Sequence, residues 1–492
     1  MKRVASGFRP MVAVDRTLST PLHRQIYDGF RSAILEGRLR PGQRIPSTRV
    51  LAAEIRVSRF PVLNAYAQLL AESYLESRVG AGTVVSSSLP EQLTSSRPTG
   101  AKATSIKRGP RTVAARTSLF PPEETFPWII HSGPFRVGQV AFDQFPHHIW
   151  SRLIARRCRS LNSHSAHYGA MKGSEILRGA IANYLKTARS VRCTPEQVFI
   201  VNGSQQALEI TARVLLDPGA RVWIEDPCYR FAQDVFKLNG CELVPVSVDE
   251  DGLDVAAGIT KCRKARAAFV SPSHQFPLGV TMSASRRLQL IEWAQSSGAW
   301  IIEDDYDSEY RYESQPIASL QGLDPNSRVI YIGTFSKVLF PSLRLGYIVV
   351  PLDLADRFIM TRRVMDLGSP AFHQEVIADF IEEGHFERHI RRMRTLYGDL
   401  RQLLVDNLRN HLDKTLSPIG DEAGMHLTVL LDAKHHDEEV AVRAARQKIS
   451  LWPLSRLYLG HPRQGFILGF GGTTASEIPL AVRRLSTLFD AR

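Results

Sequence analysis

The sequence predicts an α/β chain in two parts: a small helical head that ends in a β-hairpin, and a large body built on a mostly parallel sheet. Three observations carry that reading. From about residue 132 to the end, short apolar strands alternate with amphipathic helical stretches, the pattern of an α/β sandwich. Residues 18–85 read instead as helix, helix, helix and hairpin. Charge separates the same two parts, because residues 1–118 hold 19 Lys and Arg against 7 Asp and Glu, while the remaining 374 residues hold 43 against 42. At 492 residues the chain exceeds the roughly 250 to 300 residues that one core sustains, so two or three domains are expected.

In the head, Leu22, Ile26, Phe30, Ile34 and Leu35 recur at helical spacing until Gly37, Pro41 and Gly42 stop the helix. Ser47 is placed to cap a short helix carrying Val50, Leu51 and Ile55. Ser58 is placed to cap a third, over 58–71, with Val62, Leu63, Tyr66, Leu69 and Leu70 expected on its buried side. Tyr74–Ser77 and Thr83–Val85 then flank the glycine-containing turn Arg78–Gly82, a strand-turn-strand signature. Three helices and such a hairpin describe a winged helix-turn-helix, and the net charge of +12 over residues 1–118 is the footprint of a nucleic-acid-binding head. The stretch RPGQRIPSTRVLAAEIRVSRFPVLNAYAQLLAESYLESRVGAGTVV resembles, over its whole length, the DNA-binding domain of GntR-type bacterial regulators. That resemblance implies contacts to double-stranded operator DNA from Arg49, from Arg59 at the start of the recognition helix, and from Gly80 at the wing tip.

Residues 86–131 form the expected flexible basic linker; its 86–118 portion is rich in Ser, Thr, Pro, Gly and basic residues and has no apolar period. As a random coil that portion reaches about 30 Å, enough for a head to dock on a partner subunit. The five scattered cysteines, without CxxC spacing, predict a reducing cytoplasmic setting rather than disulfides or zinc. No apolar run long enough to span a bilayer is present, and MKRVASGFRP lacks the apolar stretch of a secretory signal, so no membrane partner is expected.

In the body, predicted strands at Val198–Val201, Val222–Glu225, Ala267–Val270, Trp300–Asp304, Val329–Ile332 and Leu345–Val350 each lead into a polar motif or a helix. Gly333-Thr334-Phe335-Ser336-Lys337, with Arg344 seven residues later, suits an aldehyde cofactor that bears a phosphate. Lys337 offers the amine, and Thr334, Ser336 and Arg344 offer donors to phosphate oxygens. Upstream, Glu303-Asp304-Asp305-Tyr306 ends a strand, and side-chain alternation puts Asp304 and Tyr306 on one face and Asp305 on the other. An acid there can pair with a protonated pyridine nitrogen and a phenol with a ring oxygen; a magnesium site is the competing reading, but no P-loop accompanies it, so no metal is expected. Ser204 and Gln205 open a helix whose N–H groups can bind phosphate, Tyr229 can stack on a planar ring, and His274 lies near the expected ring oxygen. All of these sit at strand C-termini, where open α/β sheets bind ligands.

In order and wording these segments resemble the fold type I aminotransferases over roughly 135–490, and together with the head they resemble the MocR subfamily of GntR regulators over essentially the whole chain. The resemblance implies a large pyridoxal 5'-phosphate (PLP) domain over 132–355 and a small domain over 356–492. Lys337 would form the internal aldimine, Asp304 pair with the pyridine nitrogen, Tyr306 bond the 3-oxygen and Tyr229 stack on the ring. Ser204, Gln205, Ser336 and Arg344 would hold the phosphate, and Tyr168 would serve the neighbouring subunit's phosphate site. A domain-swapped homodimer is implied, each head packed on the other protomer's body.

Two departures bear on activity. Phe276 stands where aminotransferases place Asn before Pro-x-Gly, and Ile467, in Gly465–Phe470, stands where they place a carboxylate-clamping arginine. Arg456 and Arg463 are the nearby candidates to replace it. The expected function is therefore a regulator that senses PLP or an amino-compound effector through an aldimine with Lys337, not an enzyme. An active aminotransferase with a DNA-binding head is the alternative.

Overall fold

A computed structural model of the chain describes residues 12–78, 82–87, 111–119, 133–161, 167–312, 317–412, 415–420, 422–432 and 434–490. Two compact units divide at Arg111/Thr112.

The head contains helices Leu22–Leu35, Thr48–Glu54 and Arg59–Ala71 and an antiparallel hairpin pairing Leu75–Arg78 with Gly82–Val85. Ile26, Phe30, Leu51, Val62, Tyr66, Leu69, Leu75 and Val85 make one core, and Phe30 meets Tyr66 edge to face at 5.4 Å. Ser47 caps the second helix as predicted, its side chain accepting from the Val50 N–H at 3.4 Å. Ser58 does not do the same; it holds the N-cap position with no side-chain hydrogen bond. The apolar stripe is also narrower than the sequence suggested. Val62, Ala65, Tyr66 and Leu69 are buried, whereas Leu35, Val50, Leu63 and Leu70 are exposed, because a short helix on a small core can bury only the residues at i, i+3, i+4 and i+7.

In the body an eight-stranded sheet runs, edge to edge, Val198–Val201, Gly346–Val349, Val329–Thr334, Trp300–Asp305, Ala267–Val270, Arg221–Asp226, Glu242–Asp249 and Gly252–Leu253. The five strands from Val329–Thr334 to Glu242–Asp249 pair in parallel, while Gly346–Val349 is antiparallel to both of its neighbours. The central strands are near-continuous apolar runs because helices cover both faces. On one face Ile224, Phe269, Ile302 and Ile332 pack on Ala207, Leu208 and Phe236; on the other Trp223, Ala268 and Ile301 pack on Leu290 and Trp293. All six predicted strands are present, and Glu242–Asp249 and Gly252–Leu253 extend the sheet beyond them.

A second, antiparallel sheet orders Leu416–Ile419, His426–Leu431, Gly465–Gly469 and Trp452–Pro453. It packs against the 28-residue helix His385–Leu412 through Met393, Leu400, Leu404, Leu427 and Phe466. Among the described residues no helix is long and apolar enough to cross a membrane.

Candidate functional site

Parallel strands in register end at one edge of the sheet, so the segments that follow them converge there. They line a cavity of about 250 Å3 that gathers Ser204, Gln205, Tyr229, Asp304, Tyr306, Thr334, Ser336, Lys337 and Arg344, from five separate stretches of chain.

Lys337 reaches into this space, its Nζ donating to the Gly138 carbonyl at 3.4 Å. Burial pulls the amine pKa down, and the nearby Asp307 and Asp304 carboxylates only partly oppose it, so the nitrogen is primed to be a nucleophile. Gly138 has φ +80°, a conformation that favours glycine, and a Cβ there would lie 2.6 Å from Nζ and push the flexible amine aside. Asp304 is the reciprocal group. Burial, then the negative charges of Asp305 and Asp307, push its carboxyl up to about 7, and its Oδ1 has no hydrogen-bond partner among the described residues. A buried carboxylate oxygen without a donor is costly unless a ligand supplies one.

Asp305 faces the other way, as strand alternation predicted, and binds Arg189 at 2.7 Å and the Tyr331 hydroxyl at 2.5 Å. The helix Ser204–Leu215 points its N-terminus at the cavity, opened by Gly203 at φ +86° with no side-chain cap, so its first N–H groups remain for an anion. Arg344, itself at φ +51°, stands beside that terminus and donates to the Asn202 carbonyl at 3.1 Å. Gln205 Oε1 is a further buried atom without a hydrogen-bond partner among the described residues. A planar, protonated heterocycle carrying an aldehyde at one side and a phosphate at the other fits this donor and acceptor set.

The structure places His274, Arg456 and Arg463 away from the cavity lining. His274 does not line the cavity; it is buried, with Nδ1 3.0 and 3.1 Å from the Asp307 oxygens and 3.0 Å from the Tyr306 hydroxyl, so it acts on the site through Tyr306. Arg456 is tied to Glu438 at 2.7 Å on the surface, and Arg463 is exposed, because both lie in the polar segments beyond the strand Trp452–Pro453 rather than on an inward face. Tyr168 is 84% exposed and does not line its own chain's cavity. Gly80 lies outside the described residues.

The sequence reading missed Asp307, Phe231, Val137, Gly138, Met425, His426 and Trp452. Asp307 alone left a signal, as the next acid on the Asp304-Asp305-Tyr306 run; the others come from segments whose spacing carries no chemistry. In the head, Arg49 and Arg59 are both exposed, and Arg59 Nε donates to Thr48 Oγ1 at 3.2 Å, joining the second and third helices. Beside them Phe60 is 69% exposed.

Comparison with known proteins agrees with both halves. Residues 22–85 match the family of bacterial regulatory proteins of the gntR type, and residues 135–480 match the aminotransferase class I and II family. The probable rhizopine catabolism regulatory protein MocR of Rhizobium meliloti is 40% identical over 485 residues, covering 98% of this chain and 96% of that protein. The pyridoxine biosynthesis transcriptional regulator PdxR of Corynebacterium glutamicum is 31% identical, covering 94% of each. Among solved structures, the kynurenine aminotransferase of Pyrococcus horikoshii, described in complex with PMP, superposes with a TM-score of 0.71 at 25% identity, covering 77% of this chain and 96% of that one. An uninterrupted match through head and body to named regulators, rather than to the body alone, places this chain among the MocR-type transcriptional regulators, in which a gntR-family DNA-binding domain is fused to an aminotransferase-like domain.

Proposed function

We propose that the body holds PLP at Lys337 and that the cofactor, or an amino compound competing for it, sets how the heads engage DNA. The observation that carries this reading is the buried, partnerless Asp304 Oδ1 in the same cavity as a desolvated Lys337. Asp304 supplies the anionic acceptor for the ring nitrogen, Tyr306 the hydroxyl for the ring oxygen and Tyr229 the stacking face. Ser204, Gln205, Ser336 and Arg344 supply the phosphate donors. Bound there, the cofactor provides an aldehyde carbon that takes a primary amine, so an effector amine and Lys337 compete for one position. The His274–Asp307 pair holds the Tyr306 hydroxyl in place.

The head, residues 18–85, is joined by the basic linker 86–131 to a large domain over 132–355 and a small domain over 356–492. A cytoplasmic homodimer with swapped heads gives Tyr168 its role at the partner's site, and Arg49, Arg59 and Gly80 contact the operator. For a ligand to switch this assembly it must bind one arrangement of heads and bodies better than the other.

The test is spectroscopic. The purified full-length protein is expected to carry the cofactor's visible absorption, and Lys337→Ala to lose it together with the ligand response in a DNA-binding assay. A colourless, cofactor-free wild type with an intact ligand response would overturn the reading.

A further inference from the structure

An α-amino acid brings a carboxylate beside its amine, and a buried site that accepts one needs a cation or a fork of donors aimed at it. Among the described residues, the cations lining the cavity are Lys337 and Arg344. The first is the cofactor's anchor in the reading above. The second stands at the helix N-terminus, where its guanidinium carbon would be 3.4 Å from a Cβ at Gly203, which assigns it to the phosphate end. His426 also lines the cavity, but burial, followed by the nearby His274, drives its pKa well below the usual range and leaves it neutral, with Nε2 3.2 Å from the Pro277 carbonyl.

The wall where a carboxylate would rest is apolar instead, lined by Phe276, Trp452, Tyr229 and Met425. Behind it Ile467 is fully buried and sits directly opposite Thr428 and Trp452 in the small antiparallel sheet. It clusters with Phe276 and Leu457, and Trp452 and Tyr229 pack against them. The two sequence departures, Phe276 and Ile467, thus meet in one hydrophobic surface rather than being independent losses. Seating an ionised carboxylate there leaves it desolvated with no cationic partner among the described residues, while a CH-rich or aromatic body gains contact with the same surface.

We infer that the effector of this site is a primary amine that carries no carboxylate. The inference rests on the cofactor reading above and narrows it: the apolar wall that Phe276 and Trp452 present to the cavity, backed by the buried Leu457 and Ile467, selects against amino acids and in favour of their decarboxylated counterparts.

Matched pairs test it: tyramine against tyrosine, isoamylamine against leucine, cadaverine against lysine. Each is titrated into the coloured full-length protein, reading the change in visible absorption and, separately, the heat of binding. Each amine is expected to half-saturate at a concentration about 100-fold below its amino acid, the penalty of an unpaired buried charge. Ile467→Arg is expected to narrow or reverse that ratio. Because arginine at a fully buried position can prevent folding, Trp452→Arg on the half-buried cavity wall serves as the second variant, and the wild-type ratios decide on their own. Amino acids that saturate the wild type at the same or lower concentration than their amines overturn the inference and leave the cofactor reading standing. A coloured protein that responds to neither member of any pair also overturns it. A protein that never shows the absorption fails the cofactor reading itself.

Discussion

In the head the charges expected to meet DNA, Arg49 and Arg59, stand exposed on adjoining helices, in a stretch of sequence, residues 1–118, with a net charge of +12. In the body, 43 basic residues nearly cancel 42 acidic ones, and the charges that matter are inside, where Arg189, Asp304, Asp305 and Asp307 are at least nine-tenths buried. The difference follows from the ligands. A polyanion is met at the surface, where long-range attraction steers it and salt screens it. A small cofactor is met in a cavity, where each charge must be paired within the fold or left waiting for the ligand. Mutations in the body should therefore be read in stability, and mutations on the recognition surface in affinity.

The largest expected effect is at Arg189. Its side chain and that of Asp305 are 3% and 2% exposed, paired at 2.7 Å, with further bonds from Arg189 to the Ser273 hydroxyl at 2.6 Å and the Ile317 carbonyl at 3.0 Å. Arg189→Met strands a buried carboxylate, which costs about 3–5 kcal/mol. Urea unfolding of the full chain should show the body transition move by that amount while the head transition stays. A body transition shifted by less than about 1 kcal/mol would break the claim that the body's charges are structural.

Next comes Asp304, which is poised for a ligand rather than paired. Its carboxyl is raised from 3.8 to about 7 in the fold, mainly by burial. The folded, cofactor-free body therefore binds more protons than the unfolded chain between those values, and its stability falls as pH rises through that window. The loss is bounded at about 4 kcal/mol. Asp304→Asn should make the profile less steep, the remaining slope belonging to Glu225, Glu303 and Glu309, which burial raises into the same range, and should make the cofactor-free protein more stable than wild type at pH 8. With cofactor bound, the order should reverse, because the wild-type carboxylate then has its partner. Denaturation midpoints at pH 5 and pH 8, with and without added PLP, check both halves.

What was legible in the sequence divides along the same line. Asp304, Tyr306, Ser336 and Lys337 were readable because their chemistry is carried by short contiguous runs at the ends of two strands, and a strand's alternation fixes that Asp304 and Tyr306 face together. Phe276 and Ile467 stood out only as departures from a resemblance; that they meet in one cluster with Leu457 and Trp452 was not legible, since the cluster assembles from distant segments. The same limit placed Arg456 and Arg463 near the site by sequence distance, although both lie outside the strands in exposed polar segments. In the head, Leu63 and Leu70 were assigned inward because they are apolar. Each follows a buried residue by one position, a rotation of about 100° around the helix, and the core does not extend that far.

On the recognition surface the expectation reverses: affinity changes and stability does not. Arg59→Ala removes an exposed guanidinium whose hydrogen bond within the head is to the Thr48 hydroxyl. Operator affinity should fall by about 1–3 kcal/mol if the group reads a base edge; if it neutralises a phosphate, the salt slope should fall by about one unit. The unfolding midpoint should be unchanged in either case. An intact affinity and salt slope would remove Arg59 from the interface.

The smallest effect is the sharpest check on how the two helices of the head are held. Ser47 and Ser58 occupy equivalent places, each at an N-cap with extended backbone, φ −66° and −67° and ψ 157° in both. Sequence patterns treat them alike, yet only Ser47 turns its hydroxyl onto the helix, to the Val50 N–H at 3.4 Å. That bond is long, so Ser47→Ala should cost the low end of a capping interaction, about 0.5–1 kcal/mol of head stability. Ser58→Ala removes no such bond and should cost less than about 0.3 kcal/mol of the same quantity. What Ser58 keeps is an exposed hydroxyl one residue before Arg59, so its replacement should register in operator affinity before it registers in unfolding. Equal losses of stability from the two substitutions would mean that both hydroxyls cap, and that Ser58 belongs to the scaffold of the head rather than to its DNA-facing surface.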